Sequence, residues 1–472
     1  MKSEYKKILS NTSLFAIGSF GSSLLGMLFI PFYTSILSTA DYGVSDLIST
    51  TTALLYPFAS IAISEAIMRF ALDKGSDRNT IYSGGIFTVL AGFVLVLLSS
   101  PLIYRTTIGP YLIYFLMYFL CYGLHTITSY FVKGIEKVKI YAIAGIINTL
   151  IVIAFNLIFL LWLKIGVHGY LLASIMGHLT TTLFMFFGAR AYRYISFPWK
   201  LDSTLYRKML IYSLPIIPNS ISWWISNSSD KYMLNYYTSV SEVGIYSVSY
   251  KIPTIVMTVT GFFMSAWQLS AVDCFERKDV KNLFGDVFSR FISLNFLVAT
   301  GLIITSKLFG SFLYSKDFFM AWKYVPTLII ANVFNTQASF LGTVYTSAKK
   351  TKMLSVTTIT GALSNIAMNF VLIPRIGALG AAIATAFSYL VMFLFRLVNT
   401  RKILEYDFVV WRNITMFIAL IAMCILVTMD RPVLWGIATV IAVANVIFER
   451  KLVIDATRTI LSALAGKLRT KG

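Results

Sequence analysis

The sequence predicts an all-α protein that crosses a membrane about fourteen times, in two six-helix lobes followed by two further helices. Composition is the first observation behind this. Of 472 residues, 57% are hydrophobic and only 13% charged, with a mean hydropathy of +0.76, whereas soluble domains are about a quarter charged. The second is a series of apolar segments of membrane-spanning length, with lysine and arginine gathered on alternate connectors. The third is an internal repeat, in which the second six segments echo the first six.

A span needs roughly 20 apolar residues, at about 1.5 Å of rise each, to cross about 30 Å of hydrocarbon. Segments 12–37, 44–70, 80–102, 111–132, 141–163 and 167–190 qualify, then 209–234, 243–268, 284–306, 322–346, 353–374 and 377–398, and finally 409–429 and 432–448. Several connectors are very short, which makes neighbouring helices antiparallel and leaves no room for a folded domain outside the membrane. Counted on alternate connectors, with Arg396 and Arg412 assigned to the connector around residue 401, one set holds 31 of the 40 lysines and arginines and the other eight. Lys251 lies on neither. The positive-inside rule therefore predicts that both termini are cytoplasmic. MKSEYKK precedes an apolar stretch too long for a signal-peptide core, so the N-terminal segment is expected to be retained.

Tyr33-Thr34-Ser35 leads to Asp41-Tyr42-Gly43 as Tyr237-Thr238-Ser239 leads to Glu242-Val243-Gly244, through a connector three residues shorter. Further on, Lys137-Val138-Lys139 matches Lys350-Thr351-Lys352, Asn156 matches Asn369, and Ile165-Gly166 with Gly169 matches Ile376-Gly377 with Gly380. Six helices is an even number, so both copies point the same way and their pseudo-twofold runs along the membrane normal. The expected lobes are residues 1–200 and 201–405, with 406–472 holding two added helices and a basic tail. The first helix of each lobe is expected to bend, at Gly26 and Pro31 in one and at Pro215 and Pro218 in the other, because proline removes a backbone donor; the alternative is that glycine and proline are simply commoner in membrane helices.

The net charge of +20 does not indicate nucleic acid, since the basic residues lie in short runs between spans. Cys121, Cys274 and Cys424 are far apart and lack metal-ligand or CxxC spacing, so neither a disulfide framework nor a metal site is indicated. There is no nucleotide-binding motif, and the connectors are too short for a glycosyltransferase site.

The candidate site residues are charges and rings inside spans. Lys251 lies eight residues beyond Val243, about 12 Å down a helix, where a charge costs about 2.5 to 3.5 kcal/mol unless it faces the interior. It reads as an anion-binding lysine in a cleft, or as the partner of an acid such as Asp46 or Asp230, or as a snorkelling side chain. Arg69 follows Glu65 by four residues, so the two can pair on one helix face, and Arg69 could receive a phosphate from the inner leaflet or be a plain cytoplasmic anchor. Asp230 and Lys231 read as a gate pair, a cation site or an interfacial charge pair. His125 and His178 fall inside spans and could titrate during proton coupling, or be simply hydrogen-bonded. Trp223, Trp224, Tyr246 and Tyr250 are candidates for stacking on sugar rings, against packing as the alternative.

The patterns PFYTSILSTADYG, EAIMRF, KGIEKVK, YSLPIIPNSISWWISNSSDKYML, EVGIYSVSYKIP, SAKKTK and IPRIGALGAAIATAFSYL, in this order along helices one to twelve, resemble the polysaccharide-transporter family of the multidrug/oligosaccharidyl-lipid/polysaccharide exporter superfamily, which includes Wzx-type O-antigen flippases. The resemblance implies twelve to fourteen helices in two lobes. It also implies movement of undecaprenyl-diphosphate-linked oligosaccharide from the cytoplasmic to the outer face of a bacterial inner membrane, by alternating access coupled to an ion gradient, H+ or Na+, with no cofactor. Polysaccharide polymerase or ligase machinery would be a candidate partner. Carried over by motif, the family's charged positions are Arg69, Asp230, Lys231 and Lys251. Lipid II flippases resemble it less, because their cationic cluster on the first helix has no counterpart between Ser13 and Leu37. Drug exporters of the superfamily use acidic cavity residues, for which Asp46 and Glu65 are the candidates. A cation-coupled drug exporter is thus the alternative reading, and a membrane polysaccharide polymerase a further one.

Overall fold

The computed structural model describes residues 25–73, 75–274, 280–348, 350–406 and 408–450, and among these every regular element is helical. Seven described helices are long and apolar enough to cross a membrane, and a bent pair makes eight. The remaining predicted segments are helical too but are broken, shorter or more polar. The first of them, with Gly18 and Gly21, lies outside the described residues up to position 24.

The chain divides into two compact units. The first runs to Ser247 and adds Leu313–Phe318; the second comprises Val248–Phe312 and the chain from Phe319 onward. In the first unit the helices are α1 (Ile30–Ile36), α2 (Thr39–Ala59), α3 (Ile63–Ala71), α4 (Arg78–Leu98), α5 (Leu112–Gly134), α6 (Val138–Asn156), α7 (Gly166–Gly188), α8 (Ser203–Ser213) and α9 (Ile217–Tyr237). Helix α10 (Val240–Ser249) ends across the unit boundary. The second unit holds α11 (Thr254–Cys274), α12 (Val280–Ile304), α13 (Ser306–Leu313, its last residue in the first unit), α14 (Val325–Ser347), α15 (Thr351–Arg401), α16 (Val410–Thr428) and α17 (Pro432–Phe448).

The internal repeat has a local physical basis. Ser38 caps α2 by accepting from the Asp41 amide, while Asp41 accepts from the Ser38 amide. Ser239 likewise accepts from the Glu242 amide at the start of α10. This shared serine cap makes Ser38, rather than Ser35, the structural counterpart of Ser239. Lys137 and Lys350 precede α6 and α15 in nearly the same conformation, φ −84° and −100° with ψ 52° and 47°. Gly166 and Gly377 both adopt φ +54°, a left-handed conformation that glycine reaches without the Cβ penalty. At Gly377 this breaks α15 in two, so predicted segments 353–374 and 377–398 are separate helices.

The prolines of the expected hinges stand where helices begin or pass through a turn, positions that accept a missing backbone donor. Pro31 stands in the first turn of α1, Pro215 in the 3-10 turn Leu214–Ile216, and Pro218 in the first turn of α9. A sharper break was not foreseen: segment 44–70 is two helices, α2 and α3, bent by 65°. There Ile61 and Ala62 take φ 51° and 49°, which costs an L-residue about 1 to 2 kcal/mol. Ala62→Gly should relieve that strain and raise the thermal midpoint in detergent by about 2 °C. A lower midpoint would show that the Ala62 methyl packs better than its backbone is strained.

Aromatic packing centres the second unit: the Phe340 ring lies 5.0 to 5.2 Å from those of Phe288, Phe291, Trp267 and Phe284. Arg412 of α16 donates to Ser289 and Ser293 of α12 and to Glu449 beyond α17, tying the two added helices to the bundle. Arg396 corrects the connector count. It is 4% exposed inside α15, donating to the hydroxyls of Thr357 and Thr358 and to the carbonyl of Ala338. It is therefore a packed polar residue, not a loop charge.

Candidate functional site

The charged groups converge where α2 and α9 pack in the first unit. Lys231 Nζ lies 2.8 Å from Asp46 Oδ2, with side chains 14% and 20% exposed. Asp46 is seven residues from the start of α2 and Lys231 six from the end of α9. At about 1.5 Å per residue both are about 10 Å inside their helices. A lone charge at such depth is costly, and each here neutralises the other.

The surroundings hold this pair in place. The Trp224 indole donates to the Thr50 carbonyl at 2.9 Å, and the hydroxyls of Tyr232 and Thr51 are hydrogen-bonded. Asp230, one residue from Lys231, accepts from the Tyr246 hydroxyl at 2.6 Å and from the Lys231 amide at 2.9 Å. Consecutive positions on a helix point about 100° apart, and the two side chains reach different groups, Lys231 the Asp46 carboxylate and Asp230 the Tyr246 hydroxyl. Nearby, Tyr170 packs edge-on to Tyr33 at 5.2 Å and tilted against Tyr42 at 5.9 Å, while the Asn156 amide donates to the Tyr33 hydroxyl at 3.4 Å.

The other candidates are placed elsewhere. Arg69 is exposed and pairs with Asp73 at 2.6 Å, the residue four beyond it; Glu65, four before it, accepts instead from the Tyr130 hydroxyl at 3.2 Å. Lys251 belongs to the second unit, in the turn between α10 and α11. It is exposed and makes no ion pair among the described residues. Trp223 is exposed, whereas Tyr246 is fully buried with its hydroxyl on Asp230 and presents no face for stacking. Tyr250 is half-buried in the second unit, and a side chain added at Gly26 would meet open space. His125 and His178 do come together, with ring centroids 5.0 Å apart.

Reading the histidines singly missed a pattern. Tyr122, His125, Thr126, Ser129, Tyr130 and Lys133 recur at three- and four-residue spacing along α5 and therefore share one face. That polar stripe on an otherwise apolar span is visible in the sequence.

A family model described as "Polysaccharide biosynthesis protein" matches residues 8–268, more than half of the chain. Over 442 residues the chain is 21% identical to an uncharacterised membrane protein of Methanocaldococcus jannaschii, covering 85% of this chain and 86% of that protein. Among solved structures it resembles the lipid II flippase MurJ in an inward closed conformation, with a TM-score of 0.70 at 15% identity, over 93% of this chain and 99% of that one. An outward-facing multidrug resistance MATE family transporter of the MOP superfamily gives 0.59 at 15%, over 87% and 96%. A MOP superfamily transporter from Pyrococcus furiosus gives 0.58 at 14%, over 84% and 94%. At these identities the structural likeness establishes the two-lobed fold and nothing finer.

Proposed function

Because the chain belongs to the polysaccharide biosynthesis protein family, a flippase family of the MOP superfamily, we propose that it moves undecaprenyl-diphosphate-linked oligosaccharide from the cytoplasmic to the outer face of a bacterial inner membrane. The family match is the observation that carries this reading. Lipid II, which MurJ is described as flipping, is likewise a lipid-linked substrate. The substrate here would be the repeat unit of O-antigen or another surface polysaccharide, delivered to polymerase or ligase machinery. Both termini would be cytoplasmic.

Physically, the diphosphate and sugars must pass about 30 Å of hydrocarbon while the prenyl chain stays in lipid. Lobes bounded near residues 200 and 405 would rock about the proline bends. Exposed Lys251, with no ion pair of its own among the described residues, would hold the diphosphate, and Arg69 would receive it by giving up Asp73. Asp46 and Lys231 form the element most suited to ion coupling: a cation or proton on the carboxylate releases the ammonium. An apolar groove of about 420 Å³ in the second unit, between α14, α15 and α16 and lined by Ile330, Phe334, Leu379, Ile383 and Ile421, supports the lipid half of the substrate.

The test is the sidedness of lipid-linked glycan in depleted cells. Build-up on the cytoplasmic face with loss of surface polysaccharide is expected. Normal sidedness with altered efflux of cationic dyes would instead establish a drug exporter. In cells dependent on the protein, Lys251→Ala should cut surface polysaccharide about tenfold, the value of one charge-assisted contact, at unchanged protein level. An equal fall in both would make the lysine structural.

A further inference from the structure

The polar stripe of α5 lines a cavity. With α6 and α7 it encloses a half-open cavity of about 480 Å³ that lies wholly within the first unit. From Tyr122 to Lys133 the stripe spans eleven residues, about 16 Å along the helix axis and half a membrane thickness. Asn148 and Thr149 of α6 and His178 of α7 complete the polar wall.

Two histidines stand in this wall, and the His125 Nε2 shares a hydrogen bond of 3.4 Å with the Ser129 hydroxyl. A cavity lined by hydroxyl, amide and imidazole groups favours an occupant that can hydrogen-bond with them. An apolar occupant could not. The wall is also poorly suited to an anion: Lys133 is its one cation, and its ammonium lies 3.8 Å from the centre of the Tyr130 ring and 5.0 Å from that of Tyr141. Behind Tyr130 stands the carboxylate of Glu65, 3.2 Å from the tyrosine hydroxyl. What remains is a wall of neutral groups that both donate and accept, beside the rings of Tyr122, Tyr130 and Tyr141. Sugar hydroxyls also donate and accept, and the C–H faces of a pyranose pack on aromatic rings.

We propose that this cavity is a saccharide-binding site, formed by the stripe of α5 with Asn148 and His178 and taking neutral pyranose units. It rests on the flippase reading for its purpose, since a lipid-linked glycan must be met by something that replaces water around its sugars, but not for its chemistry.

The site is testable with the full chain in lipid nanodiscs, by saturation-transfer NMR with methyl glycosides of glucose, galactose and mannose and with N-acetylglucosamine. At least one is expected to bind, and His178→Phe to weaken it about tenfold by removing the hydrogen bonds while keeping a ring. Gly145→Trp is the second variant. Gly145 lines the cavity, and a Cβ there meets no atom within 4 Å, so the indole should fill the space without disturbing the fold and abolish binding. No binding of any of these sugars, equal binding by both variants, or displacement of the sugar by inorganic phosphate would overturn the proposal. Sugar binding in a protein whose depletion leaves glycan sidedness normal would uphold this site and remove the flippase reading. Intact flipping with no sugar binding would do the reverse.

Discussion

Lys231→Ala is expected to destabilise the protein by about 3 kcal/mol, because it strands the Asp46 carboxylate about 10 Å inside a span. Asp46→Ala should do the same by stranding the ammonium, which lies 2.8 Å away in the intact pair. The two losses should not add. Asp46→Asn combined with Lys231→Gln removes both charges, leaves neutral groups able to hydrogen-bond, and should recover most of the thermal midpoint lost in either single variant. Stability and transport then separate the roles. If the pair only holds α2 to α9, the double variant flips substrate normally; if it is the coupling element, the double variant folds and is inactive. Midpoints in detergent, read beside surface polysaccharide, distinguish these outcomes. Strict additivity of the single losses would show that the groups do not interact.

Much of the fold was legible because it rests on local chemistry. The repeat could be read through Gly166 and Gly377, since few residues besides glycine adopt φ +54° readily; the Ser38 and Ser239 caps, whose partners lie three residues away, also carry it, although the sequence match pairs Ser35 with Ser239. The 65° break between α2 and α3 could not, because Ile61 and Ala62 carry no left-handed signal and are held there by the surrounding structure. Charge was harder still. Lys231 finds Asp46 across 185 positions of sequence, and nothing local distinguishes that acid from Asp230, the immediate neighbour. Arg396 was assigned to a connector because its partners, two threonine hydroxyls and a carbonyl, are neutral and leave no complementary charge to notice. The α5 stripe is a different case, since its periodicity is in the sequence and only residue-by-residue reading concealed it.

Gly43→Ala and Gly244→Ala should each lower the thermal midpoint, although glycine to alanine inside a helix ordinarily gains about 1 kcal/mol. A Cβ on Gly43 would stand 2.1 Å from the Val240 carbonyl oxygen, and one on Gly244 would stand 1.9 Å from that of Thr39. Both obstacles are backbone, so no rotamer change relieves them and α2 must separate from α10. Overpacking of this kind costs about 3 kcal/mol, which outweighs the helix gain. Thr39 precedes Gly43 by four residues, as Val240 precedes Gly244, so the contact is reciprocal in the manner of a twofold interface. The two substitutions should therefore have similar effects, and the second should add little once the first has parted the helices. Gly145→Ala, in open space, is the control and should be neutral or stabilising. If Gly43→Ala alone raised the midpoint, the two backbones would not touch; similar losses at both glycines with a sub-additive double variant would establish the contact as the point where the repeats meet.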